Sequence, residues 1–225
     1  GRPRIVSPLY DRLKGHRAVF GSKLGWERPN WFAPAGVEAQ DIYSMGRQNW
    51  FDAVGEEHRH CREAVGIFDQ SSFAKYELTG KDAARALDYI CANHVTKAPG
   101  RLTYTQLLNS RGGIEADLTV ARLAEDHFYI VPGPGFRNHD FGWIPDPLPQ
   151  GDVTLTDITE DWGTLSLMGP KAREVLARVT SADVSNAGFP FGHVREIPIA
   201  GAICRALRVT YVGELGWELH APMAA

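Results

Sequence analysis

The clearest alternation of apolar and polar positions lies between residues 104 and 120, where two strand-like runs flank a turn rich in Asn and Gly. On the return run, apolar Leu118 and Val120 alternate with polar neighbours, which is typical of a strand with one buried face. Gly112 and Gly113 allow the positive φ that a tight turn needs. The pattern therefore predicts a β-hairpin.

Asp117 stands at the head of the return strand among apolar residues. Burying a carboxylate is costly unless a cation or a hydrogen-bond donor pairs with it. The pattern makes Asp117 a candidate for ligand binding, and a solvated carboxylate at a strand edge is the alternative. Glu218 alternates with apolar Trp217 and Leu219 on a later strand, where a solvated face is the simpler interpretation.

Apolar spacing elsewhere predicts further helices and strands in irregular order. Helices are expected near residues 7–13, 53–66, 81–91, 136–144 and 170–180, strands at 66–72, 73–80, 127–131, 153–157, 163–168, 194–199, 202–211 and 217–220, and a tight turn over 212–216. Because strands and helices do not alternate regularly, the predicted fold class is α+β, with mixed, largely antiparallel sheets and packed helices.

Residues 1–49 are poorly periodic and rich in Gly, Pro and Trp. We interpret them as a connector packed on a surface, with one short helix that Ser7 caps and Pro8 begins. Large aromatic residues are too frequent here for a solvated linker. We expect them to be buried, for example against a neighbouring domain: Trp26, Trp31, Phe32, Trp50 and Phe51.

Composition and charge limit the classes of binding partner and the cellular compartment that we expect. A net charge of −3 gives no electrostatic basis for binding nucleic acid or an anionic membrane surface. No apolar run approaches the length of a bilayer span. Three cysteines, Cys61, Cys91 and Cys204, are too few for a disulfide framework, so a reducing compartment is expected. This is the cytoplasm, or the mitochondrial matrix in a eukaryote.

Common catalytic signatures do not occur in the sequence. No Gly-x-Gly-x-x-Gly follows a strand, and phosphate-loop, Gly-x-Ser-x-Gly and His-Glu-x-x-His patterns are missing. His58 and His60 are two residues apart on a predicted helix and lie on different faces, so we predict no metal site there.

Four motifs occur in a fixed order along the chain. They are GIFDQSSF at 66–73, LLNSRGGIEADLTV at 107–120, LMGPKA at 167–172 and YVGELGWEL at 211–219. In this combination the chain resembles the aminomethyltransferase family, the glycine-cleavage T-protein with its folate-binding fold. The resemblance runs from about Trp50 to the end of the sequence.

The first residues point to one branch of that family. Residues 7–13 and 25–32 look like the stretch that joins the flavin domain to the folate domain in dimethylglycine and sarcosine dehydrogenases. The resemblance thus implies a connector at 1–49 from an upstream FAD domain and a folate-binding domain at 50–225. It also implies that this domain is incomplete at its C-terminus and truncated before the C-terminal barrel.

The resemblance implies a reaction and a site. An upstream FAD domain would oxidise an N-methyl group of the methylated amine, and the folate domain would capture the one-carbon unit on tetrahydrofolate as 5,10-methylenetetrahydrofolate. Asp117 matches the catalytic carboxylate, and Tyr211 and Glu218 match pterin-contacting positions that face it across one pterin-sized pocket. Phe73, Tyr104 and Leu108 would be apolar pocket walls, and a plain core role is the alternative for them.

The sequence departs from the T-protein at two positions. Ala116 precedes Asp117 where the T-protein has a second acid, and Gly133 stands where it has an Asn. Two other functions stay open. One is a free-standing folate-dependent aminomethyltransferase or demethylase, which would begin nearer Trp50 and would not need the aromatic connector. The other is a catalytically silent binding module with the folate fold.

Overall fold

The computed structural model describes residues 1–211 and 214–223. In this part of the chain the strands form three antiparallel sheets, and helices pack against the outer faces of the two larger ones. The predicted α+β class with largely antiparallel sheets is confirmed. None of the helices described has the length and apolarity that a bilayer crossing requires.

The helices and strands follow one another irregularly along the chain. The helices are α1 (Tyr10–Gly15), α2 (Phe51–Glu63), α3 (Ala83–Ile90), α4 (Arg137–Trp143) and α5 (Ala172–Leu176). The strands are β1 (Ala18–Lys23), β2 (Trp26–Phe32), β3 (Gly66–Asp69), β4 (Tyr76–Thr79), β5 (Leu102–Leu108), β6 (Ile114–Ala124), β7 (His127–Pro132), β8 (Thr154–Asp157), β9 (Trp162–Met168), β10 (Val194–Ile199), β11 (Ala202–Leu207) and β12 (Gly216–Pro222).

One five-stranded sheet carries the predicted hairpin and is called the Asp117 sheet below. Its strand order is β5-β6-β7-β4-β8, with every neighbouring pair antiparallel. Alternation along β6 turns Leu118 and Val120 toward one face, where they join Leu87 of α3 and Phe128 of β7 in a core cluster. Asp117 lies on the other face, because successive side chains of a strand point to opposite sides.

The second five-stranded sheet, called the Glu218 sheet, has the order β10-β11-β12-β9-β3. Trp217 is fully buried and packs with Leu167 and with Leu176 of α5 on the outer face. Glu218 and His220 alternate with these residues and lie on the inner face.

The inner faces of the two sheets pack against each other. Leu207 of β11 lies in one apolar cluster with Tyr129 and Val131 of β7. The Tyr129 hydroxyl oxygen lies 2.8 Å from Nδ1 of His220, so a polar contact also joins the sheets. We call the space between them the inter-sheet layer. Both candidate carboxylates, Asp117 and Glu218, lie on faces that border it.

The N-terminal residues form more structure than the sequence indicated. β1 and β2 make a two-stranded antiparallel sheet that was not predicted. Pro29 lies within β2, and the register shifts between Val19 and Phe20, so the alternation that reveals a strand is interrupted. A connector is therefore an incomplete description of residues 1–49.

The aromatic residues of this region divide into buried and exposed ones. Trp31 and Trp26 are only 1% and 6% exposed, as expected for side chains that must be buried. Trp31 packs with Val54 of α2, so the burial occurs within this chain. Phe51 is 49% exposed, and the prediction that it is buried was wrong.

Several predicted boundaries were also wrong. α1 begins at Tyr10, two residues after Pro8, without a side-chain cap on its first turn; the Ser7 hydroxyl accepts from the amide of Leu9 at 3.2 Å and donates to Asp69. α5 ends at Leu176 because the following amides bond three residues back, as for Val179 to Leu176. β11 ends at Leu207 rather than at residue 211, because the amide of Val209 bonds back to the carbonyl of Leu207 and turns the chain there. In the predicted turn at 212–216, residues 212 and 213 lie outside the described residues.

Candidate functional site

Asp117 accepts a hydrogen bond from a phenol. The Tyr104 hydroxyl donates to Oδ2 of Asp117 over 2.9 Å, from the paired strand β5. Asp117 is exposed and Tyr104 is 58% exposed, so the solvated carboxylate that we considered as the alternative is the arrangement observed. This hydrogen bond raises the pKa of Tyr104, and the phenol therefore stays protonated near neutral pH.

Tyr211 lies near the same phenol. It is 93% exposed, and its proximity adds slightly to the rise in the Tyr104 pKa that the bond to Asp117 mainly causes. Leu108 ends β5 next to the hairpin turn and is 41% exposed. Phe73 is half-buried against the apolar cluster of the inter-sheet layer, and the Arg28 guanidinium lies 5.9 Å from its ring centroid.

The hairpin turn that presents Asp117 is held by one side chain. Oδ1 of Asn109 accepts from the amides of Arg111 and Gly113 at 3.0 and 2.9 Å, and its Nδ2 donates to Glu115 at 2.7 Å. A Cβ on Gly113 would come within 2.9 Å of Asn109 Nδ2, so a larger residue there would displace the Asn109 amide that holds the turn. Gly112 has a φ of +79°, as expected for the turn.

A second carboxylate near Asp117 was missed by the sequence analysis. Asp140 of α4 is buried, and burial chiefly raises its pKa, with the negative charge of Asp117 adding to the effect. Its Oδ1 lies 2.9 Å from Nδ1 of His139, whose Nε2 lies 3.6 Å from Glu115. The available sequence signal was the pair of polar residues at 139–140, within a helix that follows β7 after one short 3₁₀ turn.

Ala116, which stands where the T-protein has a second acid, lies on the face of the sheet opposite to Asp117. Ala116 is 7% exposed and belongs to the core cluster on the outer face of the Asp117 sheet. An acidic side chain at that position would point away from the face that carries Asp117. The departure at Ala116 therefore leaves that face of the sheet unchanged.

Glu218 lies deeper in the inter-sheet layer than Asp117. Its side chain is 19% exposed, and Oε2 lies 3.6 Å from Nε2 of fully buried His220. Burial lowers the pKa of His220, so the imidazole is neutral. The solvated face that we considered the simpler interpretation for Glu218 is therefore wrong, because the other sheet covers this face.

The site residues fall into two groups along the layer. Asp117, Tyr104 and Tyr211 lie near the solvent-exposed end of the layer, which we call its open end. Glu218 lies beside buried His220 and Tyr129, and we call this the closed end. Tyr129 pairs with Ala121, four residues along β6 from Asp117. At roughly 3.3 Å per residue, that offset is about 13 Å along the strand.

Two clefts lie elsewhere on the molecule. One of about 900 Å³ lies between β2, α2 and β3, where Phe32, Glu57 and Phe68 line it. Another of about 390 Å³ lies beside β10 and is lined by His127 and Arg195. Among the described residues that line these clefts, none belongs to the predicted site. A single pterin-sized pocket at Asp117 stays a prediction.

Two antiparallel sheets face each other, each with a carboxylate on its inner side, and helices cover the outer sides. The class defined by this fold and site is an α+β domain with a polar site in the layer between its sheets. The chain belongs to the family described as the GCVT N-terminal domain, whose model matches residues 9–225. The resemblance found in the sequence is thereby confirmed.

Two relatives are dehydrogenases. Mitochondrial sarcosine dehydrogenase of Homo sapiens is 35% identical over 100% of this chain and 29% of its own length. Mitochondrial dimethylglycine dehydrogenase of Mus musculus is 38% identical over 98% of this chain and 25% of its own length. The chain thus spans between a quarter and three tenths of these relatives.

A solved structure matches the same fold. The crystal structure of glycine cleavage system aminomethyltransferase T from Bartonella henselae superimposes with a TM-score of 0.79 at 27% identity. The match covers 98% of this chain and 54% of that one. Because it includes most of residues 1–49, the N-terminal segment does not by itself distinguish the dehydrogenase branch from an aminomethyltransferase.

Proposed function

We propose that this chain is the tetrahydrofolate-binding part of an FAD-dependent dimethylglycine or sarcosine dehydrogenase. It captures the one-carbon unit released by N-demethylation as 5,10-methylenetetrahydrofolate. The observation that carries the proposal is the exposed Asp117 carboxylate, held by Tyr104 at the open end of the inter-sheet layer in a domain of the GCVT family. The two dehydrogenase relatives support the choice of branch.

The carboxylates suit a pterin. Its amino and ring N–H groups form a donor face, and ionised carboxylates accept such bonds strongly. Glu218 is mostly shielded from water and serves as the acceptor for that face. The rings of Tyr104, Tyr211 and Phe73, with Leu108, supply apolar surface for the remainder of the ligand.

Asp117 performs the proton chemistry. Condensation of tetrahydrofolate with a one-carbon unit releases protons from its nitrogens and develops positive charge. A carboxylate beside those nitrogens accepts the proton and stabilises that charge. The Tyr104 phenol donates to Oδ2 and so fixes the orientation of the carboxylate, which leaves Oδ1 for the ligand. Asp117 is therefore the catalytic residue of the proposal, and Tyr104 both contacts the ligand and positions Asp117.

The proposal extends to the organisation of the whole protein. Residues 1–49 lead from an upstream FAD domain, which oxidises the methylated amine, into the folate-binding segment at 50–225. The compartment is the cytoplasm, or the mitochondrial matrix in a eukaryote, in keeping with the mitochondrial relatives. Nucleic acid and membrane surfaces are not among the proposed partners.

Asp117→Asn in the full natural protein tests the proposal. The amide keeps the shape of the side chain but cannot take a proton, so methylenetetrahydrofolate formation should fall about 100-fold. Oxidation of the amine by the flavin should be unchanged. Glu125→Gln, in the turn that follows β6 and 81% exposed, is the matched control and should retain full capture. Undiminished capture by Asp117→Asn would remove the catalytic assignment.

A free-standing aminomethyltransferase is the second candidate, favoured by the match to the Bartonella henselae protein over nearly the whole chain. The two functions differ in what precedes residue 1 in the natural gene. An FAD-binding domain there supports the dehydrogenase, and its absence favours the aminomethyltransferase. Titration calorimetry with tetrahydrofolate, repeated on Asp117→Asn and Glu218→Gln, separates both from a silent module, for which binding would be missing or unchanged by the two substitutions.

A further inference from the structure

Glu218 is not alone in the inter-sheet layer. Nε2 of His220 lies 3.6 Å from Oε2 of Glu218. On the other side of the ring, Nδ1 lies 2.8 Å from the Tyr129 hydroxyl and 3.1 Å from the Thr164 hydroxyl. His220 is fully buried, so water does not reach its nitrogens, and Nε2 has no hydrogen-bond partner within ordinary distance among the described residues.

The surroundings of His220 select one tautomer. If Nδ1 carried the proton, the lone pair of Nε2 would face the negative oxygen of Glu218, which is unfavourable. If Nε2 carries the proton, it points at that carboxylate, and Nδ1 accepts from the Tyr129 hydroxyl. The contact at 3.6 Å is just longer than a hydrogen bond, and a small shift of the Glu218 side chain closes it.

The groups around the ring keep it neutral. Burial lowers the pKa of His220, and the positive charges of Lys75 and Arg205 lower it further, whereas Glu218 opposes them. Arg205 lies over the Tyr129 ring at 4.4 Å from its centroid and so also holds the phenol in place. These are the charged groups that face His220 from β12, β11 and the segment before β4.

We propose that the neutral, Nε2-protonated imidazole of His220 is a positioning residue, which holds one oxygen of Glu218 and turns the other toward the open end of the layer. His220 thereby sets the affinity for the pterin without touching it. Tyr129 and Thr164 fix the tautomer from the opposite sheet and from β9. The inference rests on the proposed function, because the ligand that Glu218 meets is the pterin of tetrahydrofolate.

Two amide substitutions separate positioning from packing. The amide nitrogen of His220→Gln reaches the place of Nε2 and can donate to Glu218. The amide of His220→Asn reaches only the place of Nδ1 and cannot donate to it. Calorimetric titration of the full natural protein with tetrahydrofolate should therefore show near wild-type affinity for the Gln variant. We expect about tenfold weaker binding for the Asn variant, the typical effect of losing a hydrogen bond to a charged group. A general packing defect would weaken both alike.

The outcomes distinguish the inference from the proposed function. If the wild-type protein does not bind tetrahydrofolate, both are wrong. If it binds, but the Asn and Gln variants bind equally well or equally poorly, only the positioning role is wrong. Should the Asn variant fail to fold, the ¹⁵N NMR shifts of His220 in the wild-type protein still decide the matter. A protonated Nε2 with an unprotonated Nδ1 supports the inference, whereas the opposite tautomer or an imidazolium overturns it.

Discussion

Two tyrosine contacts lie in the same layer and differ almost entirely in their access to water. At the open end, Tyr104 donates to Asp117, and both residues are exposed. At the closed end, Tyr129 lies 2.8 Å from His220, and both residues are fully buried. The first bond exchanges readily with water, whereas the second has no solvent to replace it.

The difference indicates what each end contributes. Polar groups at the open end keep their capacity to bind a ligand, because forming or losing their mutual bond changes the free energy of folding little. Polar groups at the closed end must satisfy one another, and losing one leaves a buried partner without a bond. The open end therefore suits chemistry, and the closed end suits the alignment of the two sheets.

Removing the Arg205 guanidinium should give the largest effect. It is 6% exposed, lies between the rings of Tyr129 and Trp162 at 4.4 and 4.6 Å from their centroids, and bonds Glu77 over 3.2 Å. Arg205→Ala leaves Glu77 without this partner and opens a void between the sheets. We expect a loss of about 3 kcal/mol in the free energy of unfolding, measured by urea denaturation.

Arg85→Ala is the control for that substitution. Its side chain is 59% exposed and bonds Asp82 at 3.5 Å on the surface of the molecule. Its effect should stay within about 0.5 kcal/mol. Equal effects of the two substitutions would show that the closed end does not carry the stability assigned to it.

Deleting the two tyrosine hydroxyls compares the ends directly. Tyr129→Phe removes the donor to His220 and leaves buried Nδ1 with Thr164 alone, so it should destabilise the protein by about 1.5 kcal/mol. Tyr104→Phe should change stability by less than about 0.5 kcal/mol, since water replaces the lost bond. It should nevertheless reduce one-carbon capture, because Asp117 loses its orientation. The comparison fails if the two variants unfold at the same urea concentration.

Sequence patterns predicted the elements but not which faces they bury. Alternation was enough to find the hairpin that carries Asp117 and the strand that carries Glu218. It could not show that a second sheet covers the face of Glu218 and His220, because that burial depends on contacts between strands far apart in the chain. The same limit explains why Asp117 turned out to be exposed.

Local irregularities hid other features. The N-terminal hairpin was missed because Pro29 and the register shift opposite Val19 and Phe20 interrupt its alternation. Asp140 was missed because nothing in a short helix distinguishes a buried carboxylate from a solvated one. The motifs that identify the family lie on turns and strand ends, where a particular residue is needed for a particular backbone, and these could be read from the sequence directly.

Acid should weaken the closed end in a defined pH range. The pKa of His220 is lowered in the folded protein, so the unfolded chain binds more protons between that value and about 6.5. The contribution of His220 to the free energy of unfolding is fully present above pH about 6.5. It is lost as the pH falls toward the pKa of the folded state, by at most about 1.4 kcal/mol per pH unit. Urea denaturation of His220→Gln between pH 7 and 5 should show a shallower decline than the wild type. Parallel declines would mean that His220 does not titrate on unfolding.

Among the substitutions expected to destabilise the protein measurably, the smallest effect is expected at the turn that supports the open end. Asn109→Ala removes two acceptor bonds to the amides of Arg111 and Gly113 and the donor bond to Glu115, all at an exposed turn. Water can replace these bonds, so stability should fall by only about 1 kcal/mol in urea denaturation. One-carbon capture should fall more than this loss implies, because the hairpin no longer holds Asp117 in one place.

Asn138→Ala, at an exposed position of α4, is the control and should change neither stability nor one-carbon capture. If Asn109→Ala leaves capture untouched, the open end does not depend on its turn, and the bond from Tyr104 alone would account for the orientation of Asp117.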